Sequence, residues 1–340
     1  MPLISLPDLT GLMERVFLAS NVAPDTARIV AEALARAEAD GISSHGVARV
    51  PPYAEQAKNG KVDGHATPVV TRTAAAAIDV DSKIGYAFPA IRKGLAAAFE
   101  IIEETGVVAI GFRDSHHFGV AGHHVEDAAE RGYVALAFSN TPAAIAPWGG
   151  SVALYGTNPI AFASPRGAGK SPLVIDLSVS SVARGKVVMA DKRGEPIPAD
   201  WALDVDGNPT TDPKAALKGS MAPLGGTSAG AKGAALGLMV ELLCGALTGS
   251  NFGYQGTSFF EPTGAPPKVG HLILMIDPKA FGGDRNGGFV ARSEAMFTEI
   301  LNQDGTRLPG DSRLQKRAKA AADGIELPQD LFDDLQSRIS

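Results

Sequence analysis

The fold is decided by the stretch AFPAIRKGLAAAFEIIEETGVVAIGF, residues 87–112. Residues 87–104 carry apolar side chains at three- and four-residue spacing, which is the pattern of an amphipathic helix. Residues 107–112 form a short apolar run of the kind found in buried strands. A helix followed directly by a buried strand predicts a sheet covered by helices.

The flanking sequence continues this alternation of helices and strands. Further strands are predicted at residues 75–80, 133–138, 173–177 and 272–276. Further helices are predicted at residues 120–131, 231–247, 292–301 and 313–322. The pattern indicates an α/β core of the mixed α+β type.

The N-terminal region has a helical character of its own. Residues 8–19 and 25–39 are predicted amphipathic helices, and Gly41 stands where the second should end. Residues 42–49 are therefore a predicted junction. We expect a helical subdomain made of residues 1–72 and 290–340, and an NAD(P)- and substrate-binding α/β core over residues 73–289.

Composition excludes several classes of protein. The formal net charge of -6 and the pI of about 5.7 disfavour nucleic-acid binding, because phosphate backbones would be repelled. Cys244 is the only cysteine, which excludes an intrachain disulfide and a Cys-rich zinc site. The sequence shows neither a targeting segment nor an apolar run of ~18 residues, so no membrane span is predicted and a cytoplasmic location is expected.

The glycine-rich stretches give no ordinary nucleotide-binding fingerprint. No Gly-x-Gly-x-x-Gly lies between a strand and a helix, so a Rossmann domain is not predicted. Gly169-Lys170-Ser171 resembles the end of a P-loop, but Ser164 stands where its first glycine is required. Residues 225–233 are a glycine-rich stretch that includes Lys232 and runs into the start of the helix predicted at 231. This stretch is either a phosphate site at a helix start or a flexible loop.

Four of the seven histidines are concentrated at His116, His117, His123 and His124. Adjacent histidines seldom point the same way, and Glu126 is the only nearby acid, so no metal site is predicted. Catalysis or cofactor contact by one of the four and a purely structural role both remain open. A non-enzymatic ligand-binding protein built on this cluster is a third class to be tested.

The junction contains Ser43-Ser44-His45-Gly46-Val47-Ala48-Arg49. A histidine beside a hydroxyl can give or take a proton. An arginine four residues later lies on the same face if a helix begins there, and its guanidinium suits a carboxylate. Spacing alone nevertheless favours an ordinary loop histidine with a surface arginine.

Seven strings along the chain change that balance. In order and spacing they resemble the type-2 malate/L-lactate dehydrogenase family over roughly residues 5 to 335. They are Ser44-His45-Gly46 with Arg49, Ser115-His116-His117-Phe118-Gly119, Gly156-Thr157-Asn158-Pro159, Ile175-Asp176-Leu177-Ser178, Arg184-Gly185-Lys186, Lys232-Gly233 and Leu308-Pro309-Gly310-Asp311. Residues 173–213 are most similar to the sulfolactate branch.

The resemblance implies a non-Rossmann fold that binds NAD or NADP, a homodimer, and a cofactor bound near a subunit or domain boundary. It implies that His45 is the proton donor with Ser44 beside it, and that Arg49 binds the substrate carboxylate. His117 matches a histidine assigned as base in the ureidoglycolate branch, and we expect Thr157 to bind substrate polar groups. The implied cofactor-binding residues are His117, Thr141, Asp176, Leu177, Ser178, Arg184, Lys232, Gly233, Pro309, Gly310 and Asp311.

Two features bear on the substrate and on the cofactor loop. The family usually has Gly-Gly-x-Lys-Gly before its long helix, and this chain carries about three extra residues before Lys232. Lys186 stands where the cyclic-imine reductases have an aspartate. A cation there stabilises an oxyanion or a second carboxylate and disfavours a protonated imine. We therefore expect hydride transfer at C2 of a small 2-hydroxy or 2-oxo carboxylate, with reduction of a cyclic imino acid as the alternative.

Overall fold

The protein is built around a mixed seven-stranded sheet. The computed structural model describes residues 1–339. The sheet order is β2-β3-β4-β10-β5-β6-β7, and only the β3–β4 pair is parallel. The strands are β1 (Leu3–Ile4), β2 (Val69–Ala74), β3 (Ala77–Asp81), β4 (Val107–Ser115), β5 (Val134–Ser139), β6 (Ile160–Ser164), β7 (Leu173–Leu177), β8 (Ala202–Leu203), β9 (Ser220–Met221), β10 (Val269–Ile276) and β11 (Ile325–Glu326). The mixed α/β class predicted from the sequence is confirmed.

Twelve α-helices are present among residues 1–339. They are α1 (Leu6–Leu18), α2 (Pro24–Ala39), α3 (Val50–Lys58), α4 (Ala87–Thr105), α5 (Ala121–Ala129), α6 (Arg184–Arg193), α7 (Pro213–Lys218), α8 (Gly226–Ala229), α9 (Ala231–Glu241), α10 (Gly288–Leu301), α11 (Asp311–Asp323) and α12 (Gln329–Ser337). Helices α4 and α5 bury apolar side chains, including Ile91 and Val125, against the sheet residues Ile110 and Ala137. This layer contains residues 87–112, which form α4 and most of β4.

A second core lies in the helical part. Leu9, Phe17 and Tyr53 are buried there with residues from both ends of the chain, such as Leu335. The short pair β1–β11 joins the two ends, with Leu3 opposite Glu326. The division into residues 1–72 with 290–340 and residues 73–289 stays a prediction, and β2 runs across its first boundary.

A third, smaller core contains elements that were not predicted. Val179, Val187, Ala202 and Met221 pack together around α6, α7 and the β8–β9 pair. Helix α6 buries only Val187 and Ala190, so its sequence carries too little apolar periodicity to be recognised. Strand β6 was missed for a different reason, because it lies between long stretches rich in Gly and Pro.

Several predicted boundaries need correction. The strand predicted at 75–80 begins too early, because Ala75 and Ala76 form the turn between β2 and β3. Strand β2 is mostly exposed at the sheet edge, which weakens its sequence signal. The helix predicted at 231–247 changes after Glu241 into a π-helical turn, Leu242–Ala246. No helix within residues 1–339 is both long enough and apolar enough to cross a membrane.

Candidate active site

The loop that carries His45 is held by a carboxylate of the preceding helix. Glu38, in the last turn of α2, accepts hydrogen bonds from the Ser43 hydroxyl at 2.6 Å and the Val47 backbone N–H at 2.8 Å. A Cβ on Gly46 would lie 2.2 Å from the Glu38 carboxylate, so only glycine fits there. Two short 3-10 turns, Ser43–His45 and Val47–Arg49, form the predicted junction.

His45 is paired with the hydroxyl beside it. Ser44 Oγ lies 3.0 Å from His45 Nδ1, and a serine hydroxyl is able to donate or accept that hydrogen bond. Partial burial and the Arg49 charge lower the pKa of His45 to about 3. The free protein therefore holds this imidazole neutral at physiological pH.

Arg49 is buried and incompletely satisfied. Its Nε donates to the Ser44 carbonyl at 2.7 Å, and its guanidinium carbon lies 4.3 Å from the centre of the Phe260 ring. The terminal nitrogen Nη1 is buried without a hydrogen-bond partner. A desolvated guanidinium with a free donor is a site for an anion, and a carboxylate fits its planar geometry.

His117 faces His45 from the end of β4. The two rings are 5.2 Å apart between centroids. The Tyr53 hydroxyl is hydrogen-bonded to His117 Nδ1, and burial holds the pKa of His117 well below its usual range. The structure thus brings His45 and Arg49 of the junction together with His117, which lies in a distant part of the sequence.

Sequence analysis missed three aromatic residues around this cluster. Phe259 packs on His117 with ring centres 4.7 Å apart, and Phe260 covers Arg49. Tyr53 lies one helical turn after Arg49, a spacing that gave a usable signal. Phe259 and Phe260 lie on a distant loop, where no local pattern indicates them.

The other histidines face separate partners. His116 Nε2 donates to Gln56 Oε1 at 2.8 Å, and His124 Nε2 donates to the Phe118 carbonyl at 2.8 Å. His123 pairs with Asp40. Within the part of the chain that the structure describes, no group of three or more His, Cys, Asp or Glu residues is arranged to hold a metal ion.

Behind the site, a buried ion-pair network joins three helices. Asp40 contacts Arg317 of α11 at 2.6 Å and His123 of α5 at 2.8 Å. Glu126 of α5 contacts Arg317 at 3.0 Å and Arg36 of α2 at 2.7 Å. Both carboxylates are buried, which by itself raises their pKa values, but the hydrogen bonds and charges of Arg317 and its neighbours together lower both pKa values below the usual range. The network fixes α2 immediately before the His45 loop.

Thr141 and Thr157 lie side by side on two loops. The Thr157 backbone N–H donates to Thr141 Oγ1 at 3.0 Å. Buried Glu241 holds these loops, because each of its carboxylate oxygens accepts two hydrogen bonds, one from a backbone N–H and one from an asparagine side-chain amide. Its four donors are Asn140 Nδ2, Gly156 N, Asn158 Nδ2 and Gly253 N, at 2.9–3.2 Å.

Two of the predicted nucleotide-contacting segments, residues 176–178 and 309–311, lie along β7 or directly after it. Asp176 Oδ2 accepts from the Gly122 backbone N–H of α5 at 2.7 Å, and Gly310, with φ +93°, lies beside Val174. Ser178 shares a hydrogen bond with Ser180 at 2.8 Å, and Leu177 is exposed. Pro309 precedes Gly310, and Asp311 accepts from the Leu308 N–H at 3.1 Å.

Four further predicted residues lie apart from His45 in their contacts. Lys186 is exposed on α6, with Nζ 5.8 Å from the centre of the Trp201 ring, and Arg184 donates to the Leu217 carbonyl at 3.1 Å. Neither residue contacts His45 or Arg49 through a hydrogen bond or ring. Lys232 is exposed, whereas Gly233 packs against the Leu224 backbone. The extra residues before Lys232 form α8, one helical turn that leads into α9.

Comparison with known proteins identifies relatives along the whole chain. The chain is 51% identical over 335 residues to the (2R)-3-sulfolactate dehydrogenase (NADP(+)) of Chromohalobacter salexigens, covering 98% of this chain and 97% of that protein. The crystal structure of Δ1-piperideine-2-carboxylate reductase from Pseudomonas syringae pv. tomato superposes with a TM-score of 0.90 at 38% identity, covering 99% of this chain and 100% of that one. The sulfolactate dehydrogenase of Methanocaldococcus jannaschii gives a TM-score of 0.89 at 29% identity, with 99% and 96% covered.

The family model agrees with these relatives and with the predicted resemblance. The model described as malate/L-lactate dehydrogenase matches residues 4–336. This span contains every residue of the cluster around His45. The chain belongs to the malate/L-lactate dehydrogenase family.

Proposed function

We propose that the protein is an NADP-dependent oxidoreductase that interconverts a small 2-oxo carboxylate and its 2-hydroxy acid by hydride transfer at C2. The observation that carries the proposal is the buried Arg49 guanidinium, whose free Nη1 lies in a cluster that also contains His45. An anion-binding donor beside a histidine is the pair that reduction of a 2-oxo acid requires. Family membership supports the same reaction.

The mechanism assigns one task to each side chain of the cluster. Arg49 binds the C1 carboxylate and fixes the orientation of C2. His45 protonates the C2 oxygen during reduction and removes the proton during oxidation. The Ser44 hydroxyl orients the ring in both protonation states, because Nδ1–H donates to it in the protonated ring and in the neutral ring that remains after Nε2 gives its proton to the substrate.

His117 has a supporting role in this proposal. We assign the Tyr53 hydroxyl as the donor in its hydrogen bond with Nδ1, which places the proton of the neutral ring on Nε2. That N–H is a second donor for the substrate oxygen or for the cofactor. Thr157, whose own N–H is occupied by Thr141, offers its hydroxyl to polar groups of the substrate.

The residues at the end of β7 fit a nucleotide by their chemistry. The Asp176 carboxylate lies in β7, Ser178 directly follows that strand and the turn at Gly310 lies beside Val174; such groups bind ribose hydroxyls and allow close approach of phosphates. The residues that would hold the cofactor are His117, Thr141, Asp176, Leu177, Ser178, Arg184, Lys232, Gly233, Pro309, Gly310 and Asp311. When bound, the nicotinamide supplies or accepts the hydride.

Relatives guide the choice of cofactor and substrate. The Chromohalobacter relative, at 51% identity, is named for NADP and for (2R)-3-sulfolactate. Arg184 is a cation suited to the 2′-phosphate that distinguishes NADP from NAD. Lys186 is exposed two residues after Arg184 on α6, and its ammonium group suits a second anionic group of the substrate such as a sulfonate or carboxylate. We therefore place sulfopyruvate and 3-sulfolactate first, ahead of malate- and lactate-type pairs.

Reduction of a cyclic imino acid is the second candidate. Its support is the 0.90 TM-score to Δ1-piperideine-2-carboxylate reductase. Lys186 weighs against it, because an ammonium group repels a protonated imine. The sulfolactate relative is also the more similar of the two in sequence.

A homodimer is also part of the proposal. Helix α9 and the π-helical turn expose Leu238, Met239, Leu242 and Leu247, each 37–66% accessible. Helices that are apolar on all sides are normally covered, and a second copy would cover this one. A cytoplasmic location fits an enzyme that draws on the intracellular NADP pool.

The proposed function is tested by cofactor oxidation with a substrate panel. Sulfopyruvate, oxaloacetate, pyruvate, 2-oxoglutarate and Δ1-pyrroline-2-carboxylate are each offered with NADPH and with NADH. We expect the highest kcat/KM for sulfopyruvate with NADPH. A higher value for the cyclic imine would favour the second candidate, and inactivity with the whole panel would refute both.

A further inference from the structure

Lys61 is a buried lysine with an unusual set of partners. It follows α3 and is 1% exposed, although lysine is almost never fully buried unless its charge is compensated. Its Nζ donates to the carbonyls of Ser258, Glu261 and Thr263 at 2.7, 2.9 and 3.1 Å. An ammonium group has three donors, and all three are used on one loop.

A neighbouring side chain ties the same loop to the histidines. Gln56 of α3 donates from Nε2 to the Glu261 carbonyl at 2.9 Å. Its Oε1 accepts from His116 Nε2 at 2.8 Å. The loop of residues 258–263 is thus fixed to α3 at several backbone positions, and α3 begins immediately after Arg49.

The loop carries the two aromatic rings that border the site. Phe259 is buried, with its ring centre 4.7 Å from that of His117 and 5.6 Å from that of His116. Phe260 is 63% exposed, yet its ring lies over the Arg49 guanidinium at 4.3 Å. With one face of the guanidinium covered, a carboxylate reaches Arg49 only along the plane of its N–H groups.

We propose that Lys61 is a positioning residue that holds the 258–263 loop so that Phe259 packs on His117 and Phe260 covers one face of Arg49, which sets how the substrate carboxylate binds. The proposal deepens the oxidoreductase function and rests on it. Lys61 does not touch the reacting atoms in this account. It acts through the loop, as a cation whose ligands are three backbone carbonyls.

Replacement and chemical rescue give a direct test. Lys61→Ala leaves a cavity that matches n-propylammonium, the portion of the side chain removed. We expect KM for the 2-oxo acid to rise at least about tenfold, the loss of one well-placed contact, while KM for NADPH stays within about twofold. We expect n-propylammonium, but not 1-propanol, to restore most of the lost kcat/KM.

Matched variants separate the loop from the fold. Lys58→Met removes an exposed lysine that pairs with Glu55 on the same helix, and should change neither constant. Phe260→Ala should raise KM as Lys61→Ala does, without loss of thermal stability, because its ring is largely exposed. An unchanged KM in Lys61→Ala, equal rescue by 1-propanol or no rescue of the folded variant would overturn the proposal. If Lys61→Ala does not fold, an unchanged KM in Phe260→Ala overturns it.

Hydrogen exchange tests, without any substrate, whether Lys61 holds the 258–263 loop. Lys61→Met should accelerate amide exchange in residues 257–265 at least about tenfold and leave β10 unchanged, since the loop loses its three tethers. Equal exchange in the variant and the wild type would contradict the proposal that Lys61 holds this loop. Inactivity of the wild-type protein with every substrate would instead refute the proposed function, so the two failures are distinguishable.

Discussion

At the scale of single residues, the site depends on how Arg49 is held. Its Nε is fixed by the Ser44 carbonyl and one face is covered by Phe260, while Nη1 is buried without a hydrogen-bond partner. Burial makes an unpaired donor costly, and in the proposed mechanism a substrate carboxylate removes that cost when it binds. We therefore expect much of the affinity for the substrate to come from this guanidinium.

Arg49→Lys is the corresponding prediction. A lysine keeps the charge but loses the planar pair of donors, so at least one charge-assisted hydrogen bond to the carboxylate disappears. We expect KM for the 2-oxo acid to rise roughly 10- to 100-fold with little change in KM for NADPH. Steady-state kinetics with both substrates varied would measure this, and an unchanged KM for the acid would exclude Arg49 as the residue that binds the carboxylate.

His45 gives a prediction about pH. Its pKa in the free protein is lowered to about 3, so the protonated form needed for reduction declines about tenfold per unit as pH rises above that value. We expect kcat/KM for 2-oxo acid reduction to fall steadily between pH 5 and 9. Oxidation of the hydroxy acid needs neutral His45 and should stay level over the same range.

His45→Ala is the control for this profile. It should lower turnover about 10²–10⁴-fold, leave cofactor affinity intact and remove the pH dependence of reduction. A slope that survives in the variant would assign the proton to another group. Near-wild-type turnover would exclude His45 from the mechanism.

Part of this candidate site could be predicted from the sequence. His45, Arg49 and His117 are predicted because seven strings along the chain together resemble one family, whereas the spacing around His45 alone favours an ordinary loop. Phe259, Lys61 and Glu241 are not predicted, because their importance comes from contacts with residues about 100 to 200 positions away. Local patterns do not encode such contacts.

At the scale of elements, the buried network of α2, α5 and α11 places the His45 loop. Asp40 directly follows α2, and Arg317 binds it from α11 at 2.6 Å. A buried charge left without its partner is strongly destabilising, even where an intact pair contributes little. The network is therefore a fixed joint between the helical part and the layer that contains α5.

Asp40→Asn tests this joint. We expect the free energy of unfolding to fall by roughly 3 kcal/mol, because the buried charge that Arg317 and His123 share is removed and Arg317 keeps only part of its compensation, from Glu126. Asp127→Asn is the matched control, since Asp127 pairs with Arg36 but is 43% exposed, and should cost less than about 1 kcal/mol. Urea unfolding of both variants measures the difference, and equal costs would contradict the joint.

Acid should weaken the same joint. Burial raises the pKa of Asp40, but the hydrogen bonds and charges of Arg317 and His123 together lower it to about 2. Its ionised form therefore stabilises the fold by about 2 kcal/mol above pH ~4, and this contribution is lost as pH falls toward 2. The decline should be absent in Asp40→Asn.

The accuracy of element prediction followed burial. Helices α2 and α4 have continuous apolar faces, and their predicted ends differ from the observed ends by one residue. Helix α6 and strand β2 bury little of their surface, so periodicity gave no signal for either. The π-helical turn after Glu241 was missed because its residues are as apolar as a continuing helix.

At the scale of the whole molecule, the exposed apolar face of α9 predicts self-association. Leu242→Glu would place a charge in an interface and should convert a dimer to a monomer, without unfolding, because Leu242 is 53% exposed in the single chain. Light scattering after size-exclusion chromatography would show the mass halved. A monomeric wild-type protein would refute the proposed dimer.

The central claim is hydride transfer to C2 of a 2-oxo carboxylate rather than of a cyclic imine. Its most direct test offers equal sulfopyruvate and Δ1-pyrroline-2-carboxylate to the enzyme with NADPH deuterated at nicotinamide C4, and follows deuterium in the products by mass spectrometry. We expect at least about ten times more deuterium at C2 of 3-sulfolactate than in proline. Label mainly in proline, or in neither product, would contradict it.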